Sequence, residues 1–261
     1  MPHDDCSENT SEVPAHNRPG RVSSYLRSAA HHLAGGGKTL HFGGSPSRAL
    51  AEAREKQLAL MAALPSFDGN IGEHVATGGE HVVHLSPDGQ RVLKFTLPGE
   101  FGFCVDEVLL LDSRTFTNKV KLTHRRALPS EYLWRWLLLR KVFGLLTEVE
   151  GMIKHTDGTP ALVISQPFIG EEMPNWEEVE AQLTGQGFAR VDNALLAMPE
   201  MNDVIWYRQR DGVVISDAYP RNFRMDSTGA IIPVDLLINI VPPGTSKILP
   251  LATEPFQLPI S

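Results

Sequence analysis

Cysteine is almost missing: Cys6 and Cys104 are the only two in 261 residues. That is too few for a disulfide framework or a cysteine-built zinc site, and it makes a reducing, cytoplasmic setting the expectation. Long apolar runs are also missing, and none approaches bilayer-spanning length, so no membrane is expected as a partner. The first residues, with Asp4, Asp5 and Glu8, have neither the positive charge nor the apolar centre of a signal peptide. Positive charge is in short supply, with 24 Lys and Arg against 31 Asp and Glu and a formal net charge of -7. This argues against general nucleic-acid binding, which needs a cationic excess on at least one face. The chain does have ample apolar material, 42% of its residues, enough for one substantial core or two lobes sharing a cleft.

Residues 1–37 are rich in Ser, His, Asn, Pro and Gly and read as a disordered arm that breaks at Gly35-Gly36-Gly37. Residues 38–70 carry one helix, opened at Ser45-Pro46-Ser47 and ended by Pro65, whose Leu50, Leu58, Leu60 and Met61 pack on the strands next in the chain. From residue 71 the period shortens to two. Thr77-Gly78-Gly79-Glu80 and Ser86-Pro87-Asp88-Gly89 are turns that divide the stretch into three antiparallel strands. In the third strand Val92 and Lys94 share one face, and Leu93 and Phe95 the other. His81 and His84, three apart on a strand, point to opposite faces and make no metal pair. The basic cluster Lys119, Lys121, His124, Arg125 and Arg126 reads as a solvated loop, with a contact for an anionic substrate or nucleic acid as the sharper alternative.

Ser130 is the expected cap of a helix over EYLWRWLLLRKVF that stops at Gly144, with Tyr132, Trp136, Leu139 and Phe143 on one stripe. Two further runs separated by Asp157-Gly158 form a hairpin that completes a five-stranded sheet. A last helix begins after Asn175, Trp206 and Tyr207 are expected to pack beneath the loop beyond them, and the tail is broken by Pro242, Pro243, Pro250, Pro255 and Pro259.

The chemistry concentrates between Gly212 and Leu237. Asp217 comes after the apolar run Val213-Val214-Ile215, Asn222 stands five positions later, and Asp235 closes a second run. Asp226-Ser227-Thr228-Gly229 is a turn between them, so a hairpin returns Asn222 and Asp235 to the same end of its ladder. A carboxylate able to accept a hydroxyl proton, beside an amide oxygen and a second carboxylate suited to Mg2+, is a set that phosphoryl transfer requires.

DAYPRN and, beyond it, VDLL resemble the catalytic loop and metal-binding aspartate of the protein-kinase superfamily. Together with YLWRWLLLRKVFG and SQPFIG upstream, the wording is closest to the serine/threonine/tyrosine kinase-like domain of polyvalent proteins from phages and mobile elements. The resemblance spans roughly residues 72–240. It implies an α+β, two-lobed kinase-like fold, with a five-stranded antiparallel N-lobe at 71–165 and a hinge and reduced C-lobe at 166–261. It implies ATP and Mg2+ as cofactors and a protein or small molecule as hydroxyl acceptor. Lys94 would hold the phosphates and Glu131 would orient it, with Glu107 and Glu148 as competitors for that role. Asp217 would align the acceptor, and Asn222 with Asp235 would hold the metal. Gly78 and Gly79 would cover the phosphates, Val92 would lie on the adenine, and Gln166 or Phe168 would offer a main-chain donor to its edge, since Pro167 has none. Arg221 would supply a positive charge where many such kinases use a lysine at the position of Tyr219.

The sequence also departs from that family. Gly-x-Gly-x-x-Gly is absent, Ile215-Ser216 replace His-Arg, Leu236-Leu237 replace Phe-Gly, and only 26 residues lie beyond Asp235. Two alternatives therefore stand beside an active protein kinase: a pseudokinase that binds nucleotide or a partner, and a small-molecule kinase of the aminoglycoside-phosphotransferase kind.

Overall fold

The computed structural model describes residues 26–32, 46–112, 117–191 and 204–241. It is a mixed α+β fold whose sheets are antiparallel throughout. Helical residues 26–32 (α1) and α2 (Pro46–Met61) precede three strands, β1 (His74–Thr77), β2 (His81–Leu85) and β3 (Arg91–Thr96). A long hairpin comes next, β4 (Phe103–Asp112) and β5 (Thr117–Arg126), then α3 (Pro129–Phe143), β6 (Glu148–Lys154) and β7 (Pro160–Pro167). After α4 (Trp176–Gly185) come β8 (Ala189–Arg190), β9 (Trp206–Arg208), β10 (Val213–Ser216), β11 (Phe223–Met225), β12 (Ile231–Pro233) and β13 (Leu237–Ile240).

The first sheet has five strands in the order β1-β2-β3-β7-β6, and a second has four in the order β13-β10-β9-β8. The β2–β3 turn closes because Gly89 takes φ 68° and Asp88 accepts both the Ser86 hydroxyl and the Gln90 N–H. Register sets Lys94 opposite Val83 on one side and Ile164 on the other. Opposed residues share a face, so Val92, Lys94, Ile164 and Gln166 look one way while Leu93, Phe95 and Val163 pack the other way with Phe67 and Val82.

Helix α3 fills the space between the two sheets. Its Tyr132, Trp136 and Leu139 are fully buried in a core that includes Leu162 and Ile164 of β7, Trp206 of β9, Ile215 of β10 and Ile238 of β13. The core is thus continuous between the first half of the chain and the second. Gly144 ends α3 in the left-handed conformation, and its N–H returns to Arg140 O.

Three expectations need correcting. Within the supposed arm, residues 26–32 are helical and bury Leu26, Ala29 and Ala30; the rest of 1–37, like the Pro-rich tail from 242, lies outside the described residues. The basic stretch is a strand rather than a loop. β5 pairs with β4 from Phe103↔Arg126 to Asp112↔Thr117, and Val105 and Leu122 pack on Tyr207, Val214 and Val241 of the second sheet. Ser130 is not the cap of α3: Leu128 holds that position, Pro129 fills the first turn, and Gln57 of α2 accepts the Ser130 N–H at 3.0 Å.

Gly151 sits at the bulge in β6 with φ 144°, and a Cβ there would lie 2.7 Å from Pro65 O and 2.9 Å from Phe67 N. Both obstacles are backbone. Gly151→Ala is expected to lower unfolding free energy by about 2–4 kcal/mol in urea titration; a loss within about 0.5 kcal/mol would contradict this packing.

Candidate active site

The segment after β10 is built around Asp217, the one non-glycine residue with positive φ (55°) among those described. A left-handed aspartate costs about 1 kcal/mol or more, so its surroundings must impose it. They do so through its carbonyl, which accepts the Tyr219 N–H at 2.8 Å and Asn222 Nδ2 at 2.7 Å. Pro220–Asn222 is a single 3-10 turn leading into β11. The turn at Asp226 is locked by three donors to Asp226 Oδ1, from Thr228 N, Thr228 Oγ1 and Ala230 N. The resulting hairpin pairs Phe223 with Pro233, and Asn222 O accepts from Val234 N at 2.8 Å and Asp235 N at 3.3 Å. Asp217, Asn222 and Asp235 are therefore joined by direct hydrogen bonds.

Lys94 arrives from the other sheet. Its Nζ donates to Val234 O at 2.7 Å, stands 3.8 Å from Asp235 Oδ1, and lies 4.9 Å from the centre of the Trp136 ring. Helix α3 contributes Arg135, only 3% exposed, which makes a bidentate pair with Glu80 (3.0 and 2.5 Å) and approaches Asp235 at 3.7 Å. Glu80 also lies 3.2 Å from His81, whose Nε2 is 2.9 Å from the Tyr132 hydroxyl. Gly102, at φ 70°, leaves room for this pair; a Cβ there would press on the Glu80 carboxylate and on Arg135 Nη1.

Burial and charge oppose each other in this cluster. Burial lowers the Lys94 ammonium from its ordinary value, with Asp235 opposing and Arg135 reinforcing the fall. Desolvation works to raise the Asp235 carboxyl, but Lys94, His81 and Arg135 outweigh it and hold it below the usual carboxylate range. For Arg135 desolvation is overcome by Glu80 and Asp235, so the guanidinium stays charged. Burial pushes His81 down to about 4, against the pull of Glu80 and Asp235 and with the help of Lys94 and Arg135. It is neutral near pH 7.

Four expected site residues meet here: Lys94, Asp217, Asn222 and Asp235. Glu131 does not join them. Its carboxylate takes a bidentate pair from Arg125 (2.7 and 2.5 Å) and the Leu128 N–H (2.8 Å), because a glutamate in the first turn of a helix is drawn to the free N–H groups there. Of its competitors, Glu148 pairs with Arg91 at 3.3 Å and the Glu107 side chain lies outside the described residues. Gly78 and Gly79 form the exposed β1–β2 turn, with Gly78 N–H on His81 O. Val92 shares the Lys94 face opposite Gln166, whose side chain reaches Thr147. The Phe168 N–H is committed to Gln90 O at 2.9 Å, which removes one of the two main-chain donors expected for an adenine edge. Arg221 donates to Asp217 Oδ1 at 2.9 Å while lying over the Tyr219 ring.

Glu80, Arg135 and His81 escaped the sequence reading. Arg135 is a lone charge inside an otherwise aromatic and aliphatic stripe, and that was the available signal. Among the described residues no three His, Cys, Asp or Glu side chains form a metal-binding group. Mg2+ does not require one, since it takes one or two protein oxygens plus phosphate and water. Asp235 and Asn222 Oδ1 could serve as such oxygens, the Asn222 Nδ2 being spent on Asp217 O. Comparisons with protein-family models, curated proteins and solved structures find no match.

The folded value of His81 lies below its ordinary 6.5, so between pH 6.5 and about 4 the unfolded chain binds more protons than the folded one. Stability should decline by up to about 3 kcal/mol as pH falls through that window, with Asp235 adding its loss only at lower pH. Urea titrations across the window should show this slope flattened in His81→Gln. An equal slope in both proteins would remove His81 as its source.

Proposed function

We propose that the protein is a compact kinase-like phosphotransferase that uses ATP and Mg2+ to pass the γ-phosphoryl group to a hydroxyl on a protein or small molecule. The observation that carries the reading is the convergence of Lys94, Asp217, Asn222 and Asp235. Lys94 bonds to a carbonyl 140 positions away, and that carbonyl belongs to the residue before Asp235. The five-stranded antiparallel first sheet supports the same reading, since five antiparallel strands are what the resemblance implies for the N-lobe.

Asn222 Oδ1 and Asp235 would hold Mg2+. When bound, the ion would neutralise charge on the phosphate oxygens. Lys94, with Arg135 behind it, supplies positive potential on the same side. Asp217 accepts the hydroxyl proton as the acceptor oxygen forms its bond to the γ-phosphorus, the bond to the β–γ bridging oxygen breaks, and ADP leaves. Arg221 must then share Asp217 with the acceptor.

One observation favours a second reading, a pseudokinase that binds nucleotide without transferring phosphate. In place of a helical carboxylate, α3 brings a guanidinium to the Lys94 cluster.

Release of ADP from Mg2+-ATP, with water or any added hydroxyl as acceptor, separates the two. Asp217→Asn is expected to slow release by about 10^2–10^4-fold while changing nucleotide affinity by less than about twofold. Equal release by the native protein and the variant would sink the role of Asp217. No release by the native protein, despite Mg2+-dependent binding, would select the pseudokinase.

A further inference from the structure

Helix α3 turns its inner face to the Lys94 cluster, but its outer face also has a feature that no site residue uses. There α3, α1 and β13 border a cavity of about 660 Å3. Its floor is apolar, with Trp134 36% exposed, Ile240 49% exposed, and Leu137 of α3 buried. His31 stands edge-on to Trp134 at 5.3 Å. Arg27 and Lys141, both exposed, bring two cations to the same lining, and among the described residues no carboxylate borders it, in a chain whose formal net charge is -7.

We propose that this cavity binds an amphipathic organic anion, a carboxylate or phosphate monoester carried on an aryl or medium-length acyl body. Like charges brought to one lining by Arg27 and Lys141 repel each other, and an anion within the cavity relieves that repulsion. The exposed indole and isoleucine offer the anion's body a surface to cover. The neutral polar residue in the lining, Asn239, adds little selectivity, since its Nδ2 donates to Val105 O and its Oδ1 accepts the Ile240 N–H. The volume is that of a small-molecule site, within the range of about 300–1,000 Å3 that such sites occupy. A single concave site with so few charges is too small for a nucleic-acid track, which neutralises phosphates along a groove.

The test uses the full chain and four ten-carbon probes below their aggregation concentrations: decanoate, decyl phosphate, decanol and decylamine. Both anions should raise the melting temperature by roughly 2–4 °C and alter tryptophan emission, while the alcohol and the amine do neither. Whichever anion binds tighter identifies the head group. Arg27→Gln and Lys141→Gln, both at exposed positions, should each weaken anion binding by about fivefold without changing the melting temperature of the unliganded protein. Trp134→Phe should keep the stabilisation and lose the emission change. Equal responses to decanol or decylamine, unchanged affinity in both charge variants, or no response to either anion would overturn the proposal. So would binding confined to an acidic peptide.

Discussion

The bond from Lys94 Nζ to Val234 O is the constraint on which the rest of the site depends. It ties the third strand of the five-stranded sheet to the hairpin that carries Asn222 and Asp235. An ammonium buried this deeply costs several kcal/mol to desolvate, so it persists only where its donors find partners. Val234 O, Asp235 and the face of Trp136 are those partners. Because Asn222 O holds the N–H groups of both Val234 and Asp235, the same bond fixes the path of the chain back to Asp217.

Arg135 extends the cluster and balances it. Two cations, Lys94 and Arg135, face two carboxylates, Glu80 and Asp235, while His81 stays neutral. A buried cluster of this kind is a poor route to stability, since well-packed apolar side chains of similar volume often do as well or better. Here it also leaves Arg135 Nε without a hydrogen-bond partner among the described residues. Charges retained at such cost, beside a strained aspartate, mark this as the place where the fold gives up stability for something else. The phosphate chemistry we propose would use these charges together.

Much of this was legible in the sequence where the signal is local. Turn residues at Ser86–Gly89 and Asp157–Gly158 delimit strands, period two places Lys94 on one face, and Asp226–Gly229 announces the second hairpin. The features that escaped depend on distant partners. The β4–β5 hairpin looks like a basic loop because the apolar surface it covers comes from Tyr207, Val214 and Val241, far along the chain. Arg135 stands out as a lone charge in an apolar stripe, but its partner Glu80 lies 55 positions earlier and is joined to it only by the fold. Glu131 misled for the opposite reason: its local pull toward Arg125 and the Leu128 N–H is stronger than any claim Lys94 has on it.

The most direct test of a nucleotide site at Lys94, Asn222 and Asp235 is thermal unfolding with ATP, with and without Mg2+, on the native chain and on Asp235→Ala. A site of this kind predicts a Mg2+-dependent rise of roughly 2–6 °C in the native protein that is lost in the variant. No rise in the native protein, or an equal rise in both, would contradict it and leave Lys94 and Asp235 as a structural ion pair.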